Sequence, residues 1–166
     1  CVGIKCSSID VNRYKTGVSI TVIDAVQTEG ISFINSYIYD VNKGIYVKNA
    51  IDINIVRSHF NINGINATKS IEFDSVAQSN ICSGCLVYCG GRAGDAINQI
   101  GISLSYCNSI SIYGNEIVGV NPTNVVYGIL IFSSSYNTIL GNNISNTNVG
   151  LFVNSGSSNI VSENLF

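Results

Sequence analysis

One spacing of apolar residues recurs six times along this chain of 166 residues. Apolar side chains stand at a start position, two residues on, and again eight, ten and fifteen residues on, counted from Ile23, Ile45, Ile71, Ile102, Ile129 and Leu151. The second column reads Ala25, Val47, Phe73, Leu104, Ile131 and Val153. The column at ten reads Phe33, Ile55, Ile81, Ile112, Ile139 and Val161, and the column at fifteen reads Ile38, Phe60, Leu86, Ile117, Ile144 and Phe166. Position eight is less regular, because Ser79, Asn137 and Asn159 interrupt Ile31, Ile53 and Ile110. Ile9 and Val11 fit one earlier partial turn. The first and last steps are 22 residues long, and the steps of 26, 31 and 27 between them carry insertions.

A flat sandwich has no reason to hold one register through so many units. A parallel solenoid does, because each turn must set its apolar residues directly above those of the turn below. Coils built from short strands stack at the spacing of hydrogen-bonded strands, about 4.8 Å. Position thirteen reads Asn115, Asn142 and Asn164, the material of a stacked Asn ladder. Asn-Gly and Asp-Gly hairpin signals are nearly absent, which argues against propeller blades. The expectation is an all-β solenoid of about 22 residues per coil and six to seven coils, one domain over residues 1–166.

Composition agrees. Hydrophobic residues make up 46% and charged residues 11%, which excludes a disordered chain and a coiled coil. A formal net charge of −2 lacks the basic excess of a nucleic-acid binder. No run of eighteen apolar residues is present to cross a membrane. The chain has no Met, so it reads as an excised piece, and Phe166 in mid-coil predicts that further chain or a partner continues the stack.

The stretch Gly128-Ile-Leu-Ile-Phe-Ser-Ser-Ser-Tyr-Asn-Thr-Ile-Leu-Gly-Asn-Asn-Ile144 resembles the right-handed, single-stranded parallel β-helix repeats of pectate-lyase-like proteins. These include polysaccharide lyases, glycosidases, epimerases and bacteriophage tailspikes, and the resemblance runs from about Ile9 to Phe166. It implies a right-handed helix with a polysaccharide in a groove between long loops and the first strand face. Likeness to tailspikes further implies a parallel homotrimer at a virion tail or cell surface. The repeat itself is a packing pattern and carries no catalytic signature.

The insertions Asn61–Ser70, Val87–Gly101 and Val118–Gly128 all follow position fifteen, so three longer loops are expected on one side. Outward positions of the first strand are then Asp24 and Val26, Tyr46 and Lys48, Glu72 and Asp74, Ser103 and Ser105, Leu130 and Phe132, Phe152 and Asn154. Glu72 and Asp74 share a face about 6.7 Å apart, with Lys48 about 4.8 Å below Asp74. Arg92 and Asp95 lie in the longest loop. Glu72, Asp74 and Asp95 are therefore the candidate acid, base or nucleophile of a hydrolase. In a lyase the same oxygens would hold Ca²⁺; otherwise no cofactor is expected. Tyr46, Lys48 and Arg92 are the candidate sugar contacts. A solvated charge ladder explains the same residues without chemistry.

His59, the only histidine, is expected to be a solvated corner residue with Tyr37 below and Cys85 above. Cys82-Ser-Gly-Cys85 with Cys89 lacks the second half of a zinc site, and a Cys82–Cys89 disulfide or free thiols remain open. Cys6 and Cys107 are assigned to position five as small buried residues. Position eleven reads Ile34, Val56, Cys82, Tyr113 and Leu140, an outward apolar stripe suited to trimer contacts, and Leu130, Phe132 and Phe152 form a second patch. Two functions follow: a carbohydrate-active tailspike part, hydrolase or lyase, or a non-catalytic shaft or adhesin. A third, a repeat protein for periplasmic metal delivery, is disfavoured by the absence of Met and the single His.

Overall fold

The computed structural model describes residues 5–7, 10–12, 16–21, 30–62, 68–89, 99–120 and 126–166. They form no helix, only short strands that pair in parallel with the coil above and the coil below. Three sheets result, of six, seven and six strands. The first sheet carries the start of each coil, in strands Thr16–Thr21, Lys43–Lys48, Lys69–Asp74, Gln99–Ser105, Val126–Phe132 and Val149–Asn154. The second carries positions nine to eleven, and the third begins near position fourteen, as in strands His59–Ile62 and Leu86–Cys89. The chain is an all-β parallel solenoid.

Inward columns close over the axis. Ile45, Ile71, Ile102 and Ile129 stack in register, as do Val47, Phe73, Leu104 and Ile131, and all are fully buried. Fully burying each such side chain contributes about 1.5–3 kcal/mol, so the stacked columns supply the main drive for folding.

Corners set a different problem, because there the amides leave the strand ladders. The solution is a side chain from the next coil. At position thirteen Ser36 N–H donates to Ser58 Oγ (3.2 Å), Cys85 N–H to Asn115 Oδ1 (2.9 Å), Asn115 N–H to Asn142 Oδ1 (3.0 Å) and Asn142 N–H to Asn164 Oδ1 (2.9 Å). Side-chain amides also join Asn115 to Asn142 and Asn142 to Asn164, each at 2.9 Å. A second series runs at position eight, where Ile53, Ile110 and Asn137 N–H groups donate to Asn80, Asn137 and Asn159. The polar residues that blurred the apolar pattern are thus structural caps, not defects.

Just before position thirteen the backbone turns left-handed in every coil, at Asn35, Arg57, Gly84, Gly114, Gly141 and Glu163, with φ between 48° and 61°. Only three of these are glycine.

The repeat register changes in two places. Val18 and Ile20, not Ile23 and Ala25, pair with Ile45 and Val47, so Ser19 and Thr21 take the places assigned to Asp24 and Val26. Ile23, Asp24, Ala25 and Val26 lie outside the described residues. Fifteen residues separate Val18 from Phe33 where ten separate Ile45 from Ile55, so the first coil carries its insertion at another corner. Consistent with this, Cys6 pairs with Phe33 at position ten rather than five, and Val11 pairs with Ile38 at position fifteen.

The second change is a bulge between Ala77 and Asn80. One extra residue inverts which side chains face in. Cys82, fully buried, therefore occupies the column of Ile55 and Ile112, and Val87 that of Phe60. Ile81 and Leu86 turn half outward. The outward stripe consequently reads Ile34, Val56, Ser83, Tyr113 and Leu140, with Ser83 in the place given to Cys82.

Two substitutions test this account in urea unfolding. Asn142→Ala leaves buried groups in two coils unpaired and is expected to cost about 3 kcal/mol. Asn143→Ala, on the exposed side of the same turn, is expected to stay within about 0.5 kcal/mol. Separately, a Cβ on Gly114 meets nothing within 4 Å, yet its φ is +61°. Gly114→Ala should then destabilise by about 1 kcal/mol and Arg57→Gly stabilise by a similar amount, through backbone conformation alone.

Candidate functional site

On the first sheet, strand alternation turns Tyr46 and Lys48 outward from one coil and Glu72 and Asp74 from the next, in direct register. The same register places Lys43 beside Lys69. Two like charges side by side need a shared counter-ion, and Glu72 supplies it. Lys43 Nζ lies 2.6 Å from Glu72 Oε2, and Lys69 Nζ bonds Glu72 Oε1. Glu72 is 7% exposed, so it is a nearly buried anion whose two oxygens each face an ammonium group. A buried charge is tolerated only when paired in this way. Lys43 and Lys69 were not among the sequence candidates. Their signal was a lysine recurring two residues before successive starts.

Asp74 has its own partners. Lys48 Nζ stands 3.2 Å and the Tyr46 hydroxyl 2.9 Å from Oδ2, while Ser75 Oγ donates to Oδ1 at 2.9 Å. Burial alone would raise the Asp74 carboxyl, but the hydrogen bonds from Ser75, Tyr46 and Lys48 outweigh it and hold it below its ordinary value. Burial, followed by the bond to Asp74, raises the Tyr46 phenol. Lys43 Nζ also lies 4.4 Å from the centre of the Tyr46 ring, so one ring face is taken.

A glycosidase acid must hold its proton near neutral pH, which requires a raised carboxyl. Asp74 is shifted the other way. Calcium would have to displace ammonium groups from both oxygens of Glu72. Arg92 and Asp95 lie outside the described residues.

A second constellation sits on the outer face of the third sheet. His59 stands over Tyr37 and beside Tyr88, with ring centres 4.7 and 5.4 Å apart. Its neighbour in the next coil is Leu86, not Cys85, because of the bulge. It is half-buried rather than fully solvated: its Nε2 is buried with no hydrogen-bond partner, and burial lowers its pKa. Asn61, in register with Tyr88, likewise has a buried Oδ1 without a partner. Asn61 and Tyr88 open onto a groove of about 360 Å³ completed by Val118, Gly119, Val120 and Asn146. A neighbouring hollow of about 370 Å³ shares Gly119, Val120 and Asn146 and adds Thr147 and Asn148. Nothing in the apolar pattern marked these outward residues.

The thiols belong to the core. Cys82, Cys85, Cys89 and Cys107 are buried and free. Cys82 hydrogen-bonds to Cys85, which raises the first thiol and lowers the second. Burial pushes Cys89 up to about 12 and Cys107 to about 11. Raised thiols such as Cys89 and Cys107 are unreactive at neutral pH.

Fold and faces together define a β-helical repeat protein with a neutralised charge ladder on one sheet and an aromatic groove on another. Over residues 3–166 the sequence matches the family described as periplasmic copper-binding protein (NosD), and the chain belongs to that family. No curated protein and no solved structure is similar enough to count as a match. The family is thus of the periplasmic kind that the sequence composition disfavoured; no tailspike relative is shown.

Copper favours thiolate, thioether and imidazole donors. Among the described residues no three His, Cys, Asp or Glu side chains gather into a metal-binding group. The chain has no Met, His59 lies on the outer face while Cys85 and Cys89 face inward, the bond to Cys85 and then burial keep Cys82 protonated, and burial does the same for Cys89 and Cys107. These residues do not fit a copper centre.

Because the Asp74 carboxyl is depressed in the folded state, its contribution to stability is present above the unfolded value and lost as pH falls through the folded one. A carbon-detected NMR titration should show Asp74 ionising below an ordinary aspartate. Tyr46→Phe and Lys48→Met should each move that midpoint upward, and acid unfolding should begin at higher pH. Unchanged midpoints in both variants would contradict the assignment of these partners.

Proposed function

We propose that this chain is a non-catalytic binding module of the cell envelope, a β-helical scaffold that presents a surface to a polysaccharide. The observation that carries this reading is the pairing of the site carboxylates: Glu72 faces Lys43 and Lys69, and Asp74 faces Lys48, Tyr46 and Ser75. The partners of Asp74 favour its charged form, and both Glu72 oxygens are occupied by ammonium groups, so neither carboxylate is free to act on a substrate. The envelope location follows the periplasmic description of the family. Rigid stacked coils with polar, aromatic-bearing outer faces suit a long ligand that lies across several coils.

The test is electrophoresis of the protein through gels containing cell-surface polysaccharides, with product assays on the same mixtures. Retarded migration without new reducing ends or unsaturated uronates is the expected result. Release of products that stops in Asp74→Asn would overturn it in favour of catalysis. Absence of retardation by every polysaccharide would remove the ligand class altogether.

A further inference from the structure

The strongest unexplained feature lies on the third sheet. Folded proteins rarely leave buried polar atoms unpaired, because each such atom gives up its hydrogen bond to water and gains none in return. Here two of them, His59 Nε2 and Asn61 Oδ1, lie on one strand, with the His59 ring 5.4 Å from that of Tyr88 and Asn61 in register with Tyr88. The groove beside that ring is lined by Asn61, Tyr88, Val118, Gly119, Val120 and Asn146, with no charged side chain among them. Its floor is narrow by construction: a Cβ on Gly119 would stand 2.0 Å from the Asn146 carbonyl oxygen. The groove crosses successive coils, since Asn61, Tyr88 and Val118 occupy one column in register.

We infer that this groove, centred on Tyr88, is a binding site for an uncharged sugar unit. Resting on the reading of the chain as a polysaccharide-binding module, the inference names the site and the ligand class. An aromatic ring offers a flat apolar surface to the C–H face of a pyranose. The side-chain amides of Asn61 and Asn146, which line the groove, supply the donors and acceptors that hydroxyl groups require, and a hydroxyl is both donor and acceptor. A carboxylated or sulfated sugar would find no cation among the described groove residues. A metal ion would find amide oxygen and no carboxylate. At about 360 Å³ the groove lies in the size range of small-ligand sites, roughly 300–1,000 Å³.

The site lies on a different sheet from Glu72 and Asp74, which makes the experiment decisive. His59 is the only histidine, so its imidazole gives one set of nitrogen-correlated NMR signals. Titration of the wild-type protein with neutral cello-, malto-, xylo- and chito-oligosaccharides should shift those signals and the Asn61 side-chain amide. Tyr88→Leu, checked for an unchanged circular dichroism spectrum, should weaken binding by about tenfold or more. Tyr136→Leu, at an exposed ring that does not line the groove, should leave binding unaltered. If binding instead shifts Tyr46 and Lys48 and leaves His59 and Asn61 unmoved, the groove assignment falls while the binding-module reading stands. If no oligosaccharide or polysaccharide shifts any signal, both fall. Equal or tighter binding of oligouronates in the groove would overturn the assignment to an uncharged sugar.

Discussion

No strand in this molecule finds its hydrogen-bond partner within its own coil. Among the described residues the strands of the three sheets pair only with the coil above or below, in parallel and in register. The coil is therefore an unstable unit alone, and the whole architecture depends on like positions standing over like positions. That requirement explains the apolar columns and the corner columns alike. A side-chain oxygen at position thirteen is useful only because the coil below presents an amide directly beneath it, from Ser58 over Ser36 up to Asn164 over Asn142.

The same stacking shapes the charged face. Identical positions in adjacent coils come together whether or not they attract, which brings Lys43 beside Lys69. Glu72 lies between them, nearly buried, and resolves the repulsion. What looked in the sequence like a pair of free acids is the anionic half of a network held by three lysines, a tyrosine and a serine. On the third sheet stacking has the opposite effect: Tyr37, His59 and Tyr88 pile their rings together, but nothing in the neighbouring coils completes His59 or Asn61.

Family membership and local chemistry point in different directions at one place. The family description names copper, yet the donors among the described residues are dispersed: thiols inside the coils, the imidazole outside them. A periodic scaffold separates the side chains of one strand onto two faces, so sulfur and imidazole on neighbouring residues do not converge. The shared property is the scaffold, and the chemistry depends on which residues a given chain places on its outward columns.

How far the fold could be read follows from the same physics. The period of two within strands and the recurring 22-residue step are visible in a linear string, and they alone determined the all-β parallel solenoid, its inward columns and the outward placement of Tyr46, Lys48, Glu72 and Asp74. A bulge of one residue leaves the apolar pattern almost unchanged, since Ile81 and Leu86 fit it as well as Cys82 and Val87 do. Only the pairing of Ala77–Ser83 with its neighbours decided which of them faces in. The first coil was misaligned for a related reason: Ile23 and Ala25 satisfy the spacing, and only strand pairing shows that Val18 and Ile20 hold those places. Partners across coils were equally hidden. Lys43 on Glu72, and His59 between two tyrosines, are contacts between residues more than twenty positions apart. The sequence by itself determined the repeating cross-section of the coil, because burial acts on each residue locally. Tertiary structure decided which outward groups are satisfied and which still need a partner, because that depends on the neighbouring coil.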